Sequence, residues 1–91
     1  MAVGLYIVHK GFTPEKYAEA LSQLDAAGAS APAGRQYHVA LESNGEIQVF
    51  DIWESQEAFN AFGDTLIPIL EGLGVELSEP QAADVHNVIE G

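Results

Sequence analysis

The chain has 91 residues, 47% of them apolar, no cysteine, and a net charge of −11. That length suits one domain over 1–91 with a single core, and the missing cysteines exclude disulfides and thiolate chemistry. An acidic surface repels phosphate backbones and anionic lipid, so the composition argues for no nucleic acid and no membrane as partners.

The charge is uneven along the chain. Lys10, Lys16 and Arg35 are the only strong bases, and residues 36–91 carry eleven acids and no base. The N-terminal Met1-Ala2-Val3-Gly4-Leu5 lacks the basic start of a signal peptide, and no apolar run reaches the ~20 residues of a membrane helix. The expectation is a cytoplasmic protein.

Residues 3–10 are rich in β-branched and aromatic types and end at Gly11, which predicts a first strand. Thr13-Pro14-Glu15 combines a hydroxyl cap, a proline at the first helical position and an acid in the first turn. Tyr17, Leu21 and Leu24 then follow at helical spacing, and Gly28 stops the helix. A small-residue linker from Gly28 to Gly34 leads to an alternating second strand over 35–43. Asn44-Gly45 is a strong signal for a two-residue type I′ hairpin turn, because both residues tolerate φ > 0. A third strand over 46–54 follows. Ser55 caps a second helix whose buried face carries Phe59, Phe62, Leu66 and Leu70, with Leu73 extending it. Pro68 removes a backbone donor and predicts a kink or restart near Ile67. Gly72 and Gly74 end the helix, 75–83 reads as an irregular connection, and 84–89 as a short last strand.

The order β-α-β-β-α-β predicts an α+β, ferredoxin-like fold. Right-handed crossovers give an antiparallel sheet ordered 4-1-3-2 with both helices on one face. The second and third strands are apolar on both sides, so the face without helices needs a cover. A second copy of the chain, in a homodimer, is the simplest one.

The segment Phe50-Asp51-Ile52-Trp53-Glu54-Ser55-Gln56-Glu57-Ala58-Phe59 resembles the antibiotic-biosynthesis-monooxygenase-like family, small ferredoxin-like proteins that dimerise as an α+β barrel. The resemblance implies a pocket between sheet and helices lined by Trp53. Several relatives carry a His nine residues after this Trp, where this chain has Phe62. They also often carry an Asn on the first strand, where it offers Gly4, Tyr6 or Val8. The fold hosts oxygenases, haem-degrading enzymes, decarboxylases and isomerases, and the two missing polar groups argue against haem degradation or quinol-type oxygenation.

A two-residue turn makes opposite residues of the hairpin sum to 89. His38 then faces Asp51, Gln36 faces Trp53, and His38, Val49, Asp51 and Trp53 share one side of the sheet. A His beside an Asp is a candidate general base held in one tautomer by a carboxylate. The same pair also reads as an ordinary cross-strand polar contact. Trp53, Tyr6, Phe59 and Phe62 are candidate substrate-binding residues for a small apolar or aromatic ligand, each with core packing as its other reading. His9 and His86, with Asp84, could meet as metal ligands if the last strand starts beside the end of the first; their spacing matches no metal motif, so no metal is expected. No phosphate loop, serine-nucleophile motif or cofactor fingerprint is present, so any catalysis is expected to need no organic cofactor.

Two functions stay open at this point. One is a cofactor-independent oxygenase or isomerase with His38 and Asp51 as catalytic residues. The other is a non-catalytic dimeric ligand-binding or accessory domain in which Phe59, Phe62 and Trp53 fill the pocket.

Overall fold

A computed structural model describes residues 2–91. Among them the order is β1 (Val3–Val8), α1 (Pro14–Ala26), β2 (Arg35–Ser43), β3 (Glu46–Trp53), α2 (Gln56–Gly72) and β4 (Gln81–Asp84). The sheet is antiparallel and runs β2-β3-β1-β4, the expected ferredoxin-like arrangement read from the other edge.

Local chemistry fixes both helices. Thr13 and Ser55 sit in extended backbone, and their hydroxyls accept from the amides of Lys16 and Ala58, three residues on. Both helices end in the same six-residue motif. In α1 the Gly28 amide donates to Asp25 and the Ala29 amide to Leu24; in α2 Gly74 donates to Glu71 and Val75 to Leu70. The glycines take φ of +73° and +77°, the left-handed conformation this motif requires.

The helices cover one face of the sheet. Ala20 and Leu24 of α1 and Phe62 and Leu70 of α2 bury against Val3, Leu5 and Ile7 of β1 and Ile47, Val49 and Trp53 of β3. Leu5 and Trp53 are the most completely enclosed, at 1% and 0% exposure. Burying side chains of this size contributes about 1.5–3 kcal/mol each.

Three expectations need correction. Gln36 does not face Trp53: Arg35 does, because β2 bulges between Arg35 and Tyr37. α2 runs through Pro68 without restarting. Proline removes its own amide, and the carbonyl this frees belongs to Asp64, an exposed residue, so the lost bond falls on the solvent side of the helix. The last strand covers Gln81–Asp84 rather than 84–89. It pairs with β1 from Tyr6↔Gln81 to Val3↔Asp84, and the Val85 amide still reaches the Ala2 carbonyl. The apolar Val88 and Ile89 continue outside the sheet despite their β-type composition.

The second face of the sheet carries Tyr6, Val8, Tyr37, Leu41 and Phe50, all exposed. The C-terminal residues 84–89 border the same face, around a depression shared with Tyr6, Tyr37, Phe50 and Ile52.

Two glycines differ in what they tolerate. Gly34 has φ +91°, and a Cβ there would stand 2.7 Å from Ala58 Cβ, while its carbonyl accepts from the Glu54 amide at 2.8 Å. Gly63, inside α2, has ordinary helical φ, and a Cβ would meet only Ile67 Cδ1 at 3.6 Å. Glycine in a helix interior costs roughly 0.5–1 kcal/mol relative to alanine. Gly34→Ala is expected to destabilise by roughly 1–3 kcal/mol, lowering Tm by roughly 5–20 °C. Gly28→Ala, strained in φ but meeting nothing within 4 Å, loses less; thermal melts of the two variants make the comparison.

Candidate functional site

The Asn44-Gly45 turn has φ of +54° and +80°, and Ser43 pairs with Glu46, so the two-residue hairpin sets the register. His38 on β2 then lies opposite Asp51 on β3. Both point to the helix side, as the alternation requires.

His38 Nδ1 lies 2.6 Å from Asp51 Oδ1. The other Asp51 oxygen accepts from Trp53 Nε1–H at 3.1 Å. The Asp51 side chain is only 5% exposed, so its charge is held by two directed donors instead of water. An ionised carboxylate only accepts, which places a proton on His38 Nδ1. In neutral imidazole this leaves the lone pair on Nε2, and the Tyr17 hydroxyl lies 2.7 Å from it. The two rings are nearly parallel, at 2°, with centroids 6.1 Å apart. Parallel rings offset by this distance leave the Tyr17 hydroxyl free to meet the edge of the imidazole at Nε2. The result is a four-residue chain: Tyr17 O–H donates to His38, His38 N–H to Asp51, and Trp53 N–H to Asp51 from the other side.

Burial pushes the Tyr17 phenol above its ordinary value of 10.0; the Arg35 guanidinium pulls it back and the Asp51 charge adds to the rise. Tyr17 is therefore a neutral phenol at pH 7. His38 keeps 24% exposure and Tyr17 is half-buried, so these two, unlike Asp51 and Trp53, are open to solvent or a ligand.

Tyr17, His38, Asp51 and Arg35 border a cavity of about 60 Å³, whose other walls are apolar residues of β1, α1, β3 and α2, among them Ile7, Leu24, Val49 and Phe62. This is well below the roughly 150 Å³ that encloses a benzene. Exposed Leu21 and half-buried Arg35 stand at its rim. A second cavity, of about 260 Å³, lies under α2 between Ile7, His9, Phe59, Gly63 and Leu77.

The other sequence-derived candidates scatter around this site. Phe62 lines the smaller cavity and Phe59 the larger. Trp53 borders neither; it is fully buried and packs against Phe59 and Phe62 with centroids at 5.6 and 5.4 Å. It touches the chain only through Asp51. Tyr6 faces the opposite side of the sheet and donates to Gln48 Oε1 at 2.8 Å, so it does not meet His38. His9 and His86 lie beyond opposite ends of β1, because β4 ends, not starts, at Asp84; they do not approach each other. Among the described residues no cluster of three potential metal ligands forms.

Tyr17 and Arg35 are the members that sequence reasoning missed. Tyr17 reads as one rung of an apolar stripe with Leu21 and Leu24. Its hydroxyl on a core-facing position was the available signal, since a buried phenol needs a partner.

No protein-family model matches the chain, and no curated protein matches it significantly. Solved structures do match over nearly its whole length. A protein of unknown function from Nitrosomonas europaea superposes with TM-score 0.61 at 17% identity, covering 99% of this chain and 92% of its own. A Deinococcus radiodurans protein provisionally named an antibiotic biosynthesis monooxygenase gives 0.61 at 16%, covering 99% and 97%. SnoaB, a cofactor-independent oxygenase from Streptomyces nogalater, gives 0.60 at 17%, covering 99% and 95%. The chain thus has the α+β ferredoxin-like fold of the antibiotic-biosynthesis-monooxygenase-like proteins, the family its Trp53-Glu54-Ser55 junction resembles. Identities this low establish a shared fold and no more. Among the described residues no helix is long and apolar enough to cross a membrane.

His9 supplies a pH prediction. Burial holds its imidazole below the ordinary 6.5, so the fold favours the neutral ring. The unfolded chain takes up this proton before the folded one does. Stability from the neutral ring is thus complete above about pH 6.5 and is lost as pH falls toward the folded value. Urea titrations between pH 8 and 5 are expected to show a steeper loss for the parent chain than for His9→Phe.

Proposed function

We propose that this chain is a cofactor-independent general-base enzyme, an oxygenase or isomerase, acting on a small apolar or aromatic carbonyl compound. The observation that carries the reading is the Tyr17–His38–Asp51 chain against an apolar cavity. Asp51 keeps the proton on His38 Nδ1 and stabilises the imidazolium that forms when Nε2 accepts a second one. Tyr17 occupies Nε2 in the resting site, so the substrate either displaces its hydroxyl or passes a proton through it. Arg35 at the rim stabilises the negative charge that develops on the substrate oxygen. The resulting carbanion is reprotonated at another carbon, an isomerisation, or meets dioxygen directly. SnoaB's description as a cofactor-independent oxygenase supports the second route by fold analogy.

The substrate is neutral on arrival, since a net charge of −11 turns anions away. It enters by moving Leu21, 44% exposed at the cavity rim. The active unit is a homodimer, in which a second copy covers Tyr6, Tyr37, Leu41 and Phe50. That much exposed apolar surface on one sheet face of a 9.7 kDa chain supports the pairing.

Two observations favour a second reading. The cavity beside His38 is small and Trp53 is sealed by Phe59 and Phe62, as in a non-catalytic dimeric binding or accessory domain. Deuterium exchange at the α-carbons of 2-indanone, followed by proton NMR, separates the two. The parent chain is expected to accelerate exchange, and His38→Gln to lose about 10²-fold or more while keeping its melting transition. Equal exchange rates would leave only the accessory role. Sedimentation at micromolar concentration is expected to give twice the chain mass, and Leu41→Glu with Phe50→Glu to give the monomer.

A further inference from the structure

The larger cavity under α2 contains a polar group that the His38 site does not use. His9 is 7% exposed, and its Nδ1 lies 2.9 Å from the Ser78 amide nitrogen. A backbone amide can only donate, so Nδ1 holds a lone pair and the neutral ring carries its proton on Nε2. Nε2 has no hydrogen-bond partner among the described residues. Yet no fully enclosed side-chain polar atom there lacks one, so Nε2 touches open space. His9 borders both cavities, which share Ile7, His9, Leu66 and Leu70 as a common wall.

A second observation concerns how the larger cavity stays open. Gly63 lines it from the middle of α2, where glycine is unfavourable and neither φ nor close packing calls for it. Any larger residue would project into the free space. The helix thus forgoes stability at the one position that keeps the volume clear. The remaining lining is apolar, apart from Asn60 and Ser78, which are exposed at the mouth.

We infer that this cavity binds a single-ring-sized apolar molecule bearing one carbonyl, with the ring beside Gly63 and Phe59 and the carbonyl oxygen accepting from His9 Nε2–H. About 260 Å³ exceeds the roughly 150 Å³ that encloses a benzene, leaving room for a short substituent. The lone buried donor selects an acceptor: an apolar ligand without one leaves Nε2–H unpaired. The inference stands whether or not His38 acts as a base.

Acetophenone and ethylbenzene share this size and differ in the carbonyl. Titrating each into the isotope-labelled chain is expected to shift the His9 ring nitrogens and the Gly63 and Leu77 amides. Acetophenone should bind about fivefold more tightly, the factor one neutral hydrogen bond gives. His9→Phe should equalise the two probes, and Gly63→Leu should weaken both by tenfold or more, so the second variant decides the matter if the first does not fold. His38→Gln should leave both affinities unchanged, which separates this site from the proposed base. Equal affinities in the parent chain, no binding, or shifts confined to Tyr37, Phe50 and Ile89 would each overturn the inference.

Discussion

Two consecutive residues with positive φ, Asn44 and Gly45, join β2 to β3. Side chains alternate every residue along a strand, so a turn one residue longer would shift the pairing and carry every side chain of β2 to the other face. With two residues, His38 reaches Asp51 and Tyr37 stays on the open side. The bulge between Arg35 and Tyr37 comes after this register is set, toward the far end of the ladder. It shifts Arg35 opposite Trp53, and Arg35 also borders the cavity containing His38.

The register places a carboxylate among apolar neighbours, and the rest of the site follows from satisfying it. An ionised group buried without partners costs several kcal/mol, so Asp51 must be met by donors. Trp53 meets one oxygen and His38 the other. Fixing the proton on one imidazole nitrogen fixes the acceptor on the next, and Tyr17 on α1 completes the sequence. One helix and two strands are thereby tied together through side chains, in addition to the apolar contacts of the core.

Much of this was legible in the residues. The hairpin register needed only the Asn-Gly turn, and the His38–Asp51 pairing followed by counting. Both helix starts were visible in Thr13-Pro14 and Ser55. What escaped depended on geometry between elements. A bulge leaves no mark in an alternating strand, so counting from the turn sets Gln36 opposite Trp53. Strand β4 is made of Gln81, Ala82, Ala83 and Asp84, weak strand formers that pair because β1 offers them a free edge; Val88 and Ile89 have the better composition yet lie outside the sheet. Tyr6 has the alternation of a site residue but lies on the wrong side of the sheet. Tyr17 was hidden because periodicity reports that a helix position faces inward, not what its hydroxyl meets there.

The placement of Arg35 has an electrostatic consequence. It is one of three strong bases in the chain and borders a cavity with few polar walls, in a molecule otherwise dominated by carboxylates. Arg35 at the rim and the Asp51 carboxylate further in offset each other at this recess, while the outer surface carries the excess negative charge. Such a molecule sorts small solutes by when they become charged. An uncharged compound crosses the acidic perimeter freely and feels attraction only if it ionises inside; once it drifts outward as an anion, the perimeter drives it into bulk water and hinders its return.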